Sequence, residues 1–167
     1  RHGNKLVFDN QFRLATIQNP SGATQTYAYN AAGKLTTITD SFGRVLTFTW
    51  SGNQIANVTD GTGRSVSMGY TDGDLTSFTD PEGKIHTYQY DAEHRMTSLK
   101  DPQNRTLAEN EYDVESRVVR QRSMGDATRE WRYQYNSFVN TEINPQGGQT
   151  YYFHDSRGRS IGTADAL

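Results

Sequence analysis

Asp80-Pro81-Glu82-Gly83, followed by Lys84-Ile85-His86-Thr87-Tyr88-Gln89-Tyr90-Asp91 and then Ala92-Glu93-His94-Arg95-Met96-Thr97-Ser98-Leu99, is the stretch whose reading decides the fold. Asp, Pro and Gly at the first, second and fourth positions are what a type I turn asks for, because proline presets the backbone and glycine relieves the exit. In Ile85–Tyr90 the two tyrosines stand two apart and project on one face, with Thr87 and Gln89 on the other, which predicts a strand. A second turn near residues 91–94 reverses the chain into a return strand over Arg95–Leu99. The stretch reads as one β-hairpin.

The same pattern recurs along the whole chain. Phe8-Asp9, Tyr29-Asn30, Trp50-Ser51, Tyr70-Thr71, Tyr90-Asp91, Tyr112-Asp113, Tyr135-Asn136 and His154-Asp155 follow one another at steps of 21, 21, 20, 20, 22, 23 and 19 residues. Between them lie turn anchors at Asn19, Asp40, Asp60, Asp80, Asp101 and Asn144, most with a glycine three residues on. Such a period marks a repeat architecture, in which no unit buries its own face without a neighbour. The expected fold is all-β: eight tandem hairpins of about 21 residues in one continuous, curved antiparallel sheet. Apolar residues of the return strands sit three apart, as in Leu14/Ile17, Leu35/Ile38, Ile55/Val58, Leu75/Phe78 and Met96/Leu99. Strict alternation would put each pair on opposite faces, so either both faces are partly covered or a bulge brings both to one side.

Composition limits the function. The 167 residues carry 17 Lys and Arg against 19 Asp and Glu, a net charge of −2 that offers no electrostatic footprint for nucleic acid or an anionic membrane. No apolar run reaches the ~20 residues of a membrane-spanning helix. The absence of cysteine excludes a disulfide framework and a thiolate nucleophile. The chain opens on Arg1 rather than methionine and closes on Asp165-Ala166-Leu167 where another turn is due, so residues 1–167 are expected to be one repeat array cut from a longer one.

The run Tyr88-Gln89-Tyr90-Asp91 through Leu99, closed by Asp101-Pro102 and repeated in register from Phe8 to Asp165, resembles the YD repeat of the Rhs family. That family includes polymorphic toxins, toxin-complex components, wall-associated proteins and teneurins. The resemblance implies a strip of sheet that spirals into a hollow shell, which in toxin members encloses a C-terminal toxic domain. It also implies a secreted or cell-surface bacterial protein delivered by a secretion system. Nothing after Gly147 resembles the family's self-cleaving segment. Sixteen strands at about 4.8 Å make a sheet about 77 Å wide, too narrow to close around a folded domain. The segment is therefore expected to be wall rather than a whole shell, with open edges that invite flanking repeats or edge-to-edge self-association.

Candidate chemistry is sparse. His2, His86, His94 and His154 lie in different repeats without metal-ligand spacing. Gly61-Thr62-Gly63-Arg64-Ser65 lacks the lysine of a phosphate loop, and Asp72-Gly73-Asp74 reads as a hairpin rather than a calcium site. Asp9, Asp91 and Asp113 recur at every unit, which suits turn or cross-strand acceptors better than an acid–base pair. Arg117, Arg120, Arg122, Arg129 and Arg132, interleaved with Glu115, Asp126 and Glu130, read as a solvated irregular repeat rather than an anion site. No catalytic residue, metal or cofactor is expected. The only candidate binding residues are Tyr29, Trp50, Tyr70, Tyr90, Tyr112 and Tyr135, which stacking should align into a ladder.

Two functions compete on those rings. The leading expectation is a non-catalytic wall segment of a shell that encloses or presents a toxin or effector domain of the same polypeptide. The rival is an adhesin-like module binding a cell-surface glycan or protein through exposed rings. Covered rings favour the first and a contiguous exposed aromatic patch the second. A pocket joining His86 or His94 to a carboxylate of another repeat would revive an enzyme.

Overall fold

The computed structural model describes residues 3–166; Arg1, His2 and Leu167 lie outside the described residues. Sixteen strands account for nearly all of it: β1 Lys5–Phe8, β2 Leu14–Gln18, β3 Thr24–Tyr29, β4 Leu35–Asp40, β5 Val45–Ser51, β6 Gln54–Asp60, β7 Ser65–Thr71, β8 Asp74–Thr79, β9 Ile85–Tyr90, β10 Met96–Lys100, β11 Thr106–Tyr112, β12 Val118–Ser123, β13 Glu130–Tyr135, β14 Val139–Ile143, β15 Gln149–His154 and β16 Ser160–Asp165. They form a sixteen-stranded sheet in which the strand order is the chain order. The all-β expectation of eight hairpins in one antiparallel sheet is what the chain adopts. Packing divides it into two compact units, residues up to Gly69 with Phe78–Lys84, and Tyr70–Ser77 with Ile85 onward.

One turn serves most of the reversals in both units. At Asp9, Asn19, Asn30, Asp40, Asp60, Asp80, Asp91, Asp101, Asp113, Asn144 and Asp155 the backbone N–H donates to the carbonyl four residues on, and the carbonyl accepts from the N–H three residues on. The side-chain Oδ1 then accepts the N–H at position +4, and in nearly every case that at +2 as well, as in Asp113 with Arg117 and Glu115. This is a type I turn followed by a left-handed residue, the usual three-residue hairpin loop. Position +3 carries φ between 60° and 92°, which explains glycine at Gly63 and makes Phe12, at φ 61°, a costly exception. The Asp72-Gly73 hairpin is a two-residue loop with both residues at positive φ, 51° and 95°.

The three-residue apolar spacing resolves into a bulge. Tyr27 pairs with Ile38 and Ala28 with Thr37, but Tyr29 pairs with Leu35, so Thr36 is extruded. The same slip pairs Phe48 with Val58 and Trp50 with Ile55, and Tyr88 with Leu99 and Tyr90 with Met96. Two apolar residues three apart thus face two aromatics two apart, on one side of the sheet.

The opposite face is polar. Thr26 faces Thr39, and Thr37 faces Thr47, which faces Thr59. Among the described residues no apolar side chain is buried; Ser98, Asp101, Asn110, Glu130 and Thr141 are. A single-layer sheet has no second layer to enclose a core, so cross-strand pairs carry the packing, each contributing roughly 0.2–1 kcal/mol. The strands at the two ends of the order, β1 and β16, are exposed throughout.

The reversal that follows the sixth hairpin departs from the pattern, as its composition suggests. Met124 and Gly125 have φ 59° and 62°, and Asp126 caps a single 3-10 turn, Ala127–Arg129, by accepting the Thr128 N–H. The next hairpin, β13–β14, has a shorter loop and no bulge: Tyr133 pairs with Glu142 and Tyr135 with Asn140.

Candidate functional site: a side-chain relay between repeats

In four repeats the aromatic residue at or beside the end of the outgoing strand reaches back one repeat. Tyr29 Oη donates to Leu14 O at 2.9 Å, Trp50 Nε1 to Leu35 O at 2.8 Å, Tyr112 Oη to Met96 O at 2.7 Å and Tyr135 Oη to Val118 O at 2.7 Å. Each acceptor is the first residue of the preceding return strand, next to the bulge. A cation from that same earlier repeat covers each ring: Arg13 lies 4.5 Å from the Tyr29 centroid, Lys34 5.5 Å from Trp50, Arg95 4.9 Å from Tyr112 and Arg117 4.5 Å from Tyr135.

The acidic partner holds the cation. Arg13 Nε donates to Asp9 Oδ2 at 2.8 Å, Arg95 Nε to Asp91 Oδ2 at 2.7 Å and Arg117 Nε to Asp113 Oδ2 at 2.7 Å, while Asp Oδ1 closes the turn. One carboxylate therefore both shapes its own hairpin and aims an arginine at the ring of the next. The Arg13 backbone N–H, followed by its guanidinium, holds the Asp9 carboxyl below the ordinary range against the opposing effect of burial. The recurring carboxylates are turn acceptors, as their periodicity indicates. The basic residue four positions later is the partner that reading missed, although its recurrence at Arg13, Lys34, Arg95, Arg117 and Arg159 was visible.

The six ladder candidates, Tyr29, Trp50, Tyr70, Tyr90, Tyr112 and Tyr135, are all half-buried. Four of them are committed to the relay. Exposed rings lie elsewhere: Phe8 at the end of β1, and Phe12, Phe42 and Phe138 in turns.

His94 meets the condition set for an acid–base pair, since its Nδ1 lies 2.9 Å from Asp74 Oδ2 of the preceding hairpin, in a cavity of about 580 Å³ shared with Tyr88 and Tyr90. The hydrogen bond to Asp74, then the charge of Asp74, with Asp72 and Asp91 adding, raise the His94 pKa. Two hydroxyls lining the cavity, Thr71 and Thr76, contact each other at 3.4 Å. Asp74 stands where other hairpins place the relay cation, so the pair reads as a variant clasp between repeats. His86 lies in β9, and His154 Nε2 accepts from Asn140 Nδ2 at 3.1 Å.

The Arg-rich segment knits three strands together. Buried Glu130 accepts from Arg122 Nε at 2.7 Å and Arg132 Nε at 2.6 Å, with Arg120 at 3.6 Å, and Arg120 also pairs with Glu111. These arginines lower the Glu130 pKa, Arg132 foremost. Arg120 and Arg122 reach Glu130 across the β12–β13 pair, Arg132 reaches it along its own strand, and Arg120 also reaches Glu111 on β11, so each of these cations has an anion partner.

The family model described as RHS Repeat matches residues 9–45, 29–65 and 70–106, more than half of the chain. The chain belongs to the RHS repeat family. Its fold is shared with solved structures at low sequence identity. The Photorhabdus luminescens Tc holotoxin pore, in a TccC3 mutant form, aligns at 13% identity and TM-score 0.58 over 98% of this chain and 11% of that one. The TcdB2–TccC3 complex without its hypervariable C-terminal region aligns at 13% identity and TM-score 0.57, again over 98% and 11%. Another TcdB2–TccC3 structure aligns at 15% identity and TM-score 0.52 over 98% and 12%. This RHS array thus spans about a tenth of the length of the chains it matches. No curated protein matches it.

Proposed function

We propose that the chain is a length of wall in an Rhs-type β-sheet shell that encloses or presents a C-terminal toxin or effector domain of the same polypeptide. The observation that carries this reading is the relay: at Tyr29, Trp50, Tyr112 and Tyr135 the aromatic rings and the cations over them are spent on joining one repeat to the next. Wall material needs such coupling, and a recognition face needs those rings free. The likeness of 98% of the chain to segments of Tc toxin components supports the same reading. Residues 1–167 act as one array within a longer one, their partners being flanking repeats and the effector, in a protein that leaves a bacterial cell. Reactive machinery belongs to the effector, and the array itself needs no cofactor.

The test uses the full polypeptide encoded around this array. Its reading frame should continue into further repeats and then a nonrepetitive domain, and limited proteolysis should cut that domain much more slowly in the intact protein than after its excision. Equal cleavage rates, or a frame without further repeats, would overturn the proposal.

A further inference from the structure

The geometry points to the β16 edge as a selective socket: it takes a strand that closes on tyrosine or tryptophan, the outgoing strand of a flanking hairpin, and refuses a second copy of this chain. Each relay is built on the same three elements at the tip of the earlier hairpin. An Asp or Asn shapes the turn, and a cation stands four residues on, as at Asp9 with Arg13, Asn30 with Lys34, Asp91 with Arg95 and Asp113 with Arg117. A bulge then sets the first residue of the return strand across from the last ring of the outgoing one: Phe8 with Leu14, Tyr29 with Leu35, Tyr90 with Met96 and Tyr112 with Val118. At two hairpins with other tips the relay gives way. Asp74 takes the cation's place ahead of Tyr90, and after the 136–138 loop His154 stands in the aromatic position and bonds Asn140.

The eighth hairpin has all three elements. Asp155 Oδ1 accepts from the Arg157 and Arg159 backbone N–H, its Oδ2 accepts from Arg159 Nε at 2.7 Å, and His154 pairs with Ser160 across a bulge. Its cation is open. The Arg159 side chain is 71% exposed, against 29% for Arg13 over Tyr29 and 22% for Arg95 over Tyr112. Among the described residues no ring lies beneath Arg159 and no side chain donates to Ser160 O. A ring carrying an O–H or N–H donor satisfies both groups at once, whereas a phenyl ring satisfies only the cation.

Register decides against a second copy. In three of the four relays the residues two, three and four after the acceptor pair with those three, four and five before the ring. Thr16, Ile17 and Gln18 after Leu14 pair with Thr26, Gln25 and Thr24 before Tyr29. Thr37, Ile38 and Thr39 after Leu35 pair with Thr47, Leu46 and Val45 before Trp50, and Arg120, Gln121 and Arg122 after Val118 with Arg132, Trp131 and Glu130 before Tyr135. Applied to Ser160 and the Phe8 of another copy, the same rule sets Gly162, Thr163 and Ala164 across from Lys5, Asn4 and Gly3. Of these only Lys5 belongs to β1, and Phe8 has no donor for Ser160 O. A copy therefore brings one ladder residue and half of the relay. An exposed edge is thereby guarded against head-to-tail chains while it stays open to a longer outgoing strand such as β5 or β11.

That the partner is a flanking hairpin rests on the shell reading; the socket's choice of donor does not, and the test separates the two. A copy of residues 101–123, which carries Tyr112, is appended in place of residues 165–167. Asp165 and Asp101 both stand five residues after the first of the preceding return strand, Ser160 and Met96, so the added hairpin enters in register. A twin carries phenylalanine at the added Tyr112 position. Hydrogen exchange should show the added amides protected about two- to tenfold more in the tyrosine form than in the twin. Arg159→Gln in the tyrosine form should lose about two- to fivefold of that protection. Sedimentation of the unextended chain should give a monomer at every concentration. Equal protection in the tyrosine form and its twin, both folded against β16, would overturn the socket and leave the wall reading standing. An oligomer of the unextended chain that gains protection at both β1 and β16 would do the same. An added hairpin that stays unprotected in both forms would sink the socket and the wall reading together.

Discussion

Replacing Tyr135 or Tyr112 by phenylalanine removes one hydroxyl and keeps the ring under its arginine, so the relay's hydrogen bond is isolated from its cation–π contact. The two sites differ in what remains. Met96 O, the acceptor of Tyr112, takes a second side-chain bond from Asn110 Nδ2 at 3.1 Å. Val118 O, the acceptor of Tyr135, has no other side-chain donor among the described residues. A net hydrogen bond contributes about 0.5–1.5 kcal/mol, and an acceptor at a half-buried site that loses its one side-chain donor adds to the loss. Tyr135→Phe should therefore cost about 1–2 kcal/mol and Tyr112→Phe about 0.5 kcal/mol. In a chain of this length that corresponds to a fall in Tm of roughly 2–8 °C against roughly 1–2 °C. Urea unfolding should show lower midpoints with unchanged slopes. If Tyr112→Phe costs as much as Tyr135→Phe, or if neither moves the midpoint, the relay hydrogen bond is not what joins these repeats.

Asp113→Asn should preserve the turn, since Asn30 and Asn144 build it with the same amide acceptors, and lose only the grip on Arg117; Asp113→Ala should lose both and melt distinctly lower in a thermal scan. His94 has a raised pKa in the folded chain, so its contribution is complete below about 6.5, the unfolded value, and is lost as pH rises through the higher folded value. Melting temperatures of wild type measured from pH 5 to 9 should carry that component and His94→Gln should lack it, with the difference largest at the acid end. Phe12→Gly should stabilise the chain by about 0.5 kcal/mol, because the ring is 89% exposed and its left-handed backbone costs roughly 1–2 kcal/mol, partly offset by glycine's greater freedom when unfolded. Phe42→Gly, at a turn position with ordinary φ and with Arg44 5.6 Å from its ring, should instead lower the midpoint in chemical denaturation.

The hairpins, their number and their order were legible because turn chemistry and alternation agree at most steps, as at Asp80–Gly83 and Ile85–Tyr90. The bulge was not, because the extruded position carries no signature: Thr36 and Thr97 are ordinary strand residues, and only register distinguishes them. The period singled out the ladder rings, but not their hydrogen bonds, since Tyr29 and Leu14 meet only once the intervening chain has folded. Arg120, Arg122 and Arg132 read as a solvated irregular repeat, and their convergence on a buried Glu130 was not legible because it depends on strands meeting in the folded sheet. The polar partners of Tyr133 and Tyr135 escaped because the register set by the shorter 136–138 loop is marked by no residue type.

Tyr112 and Asp113 are adjacent letters with opposite allegiances: the ring answers to the arginine behind it, and the carboxylate sets the arginine that serves the ring ahead. The natural seam for grafting or shuffling these modules therefore falls between the two letters of the motif, so that a transplanted cassette should run from one aspartate to the following tyrosine. Cutting before the tyrosine would carry every ring away from its own cation, and sequence drift in the family should be correlated across hairpins more strongly than within them.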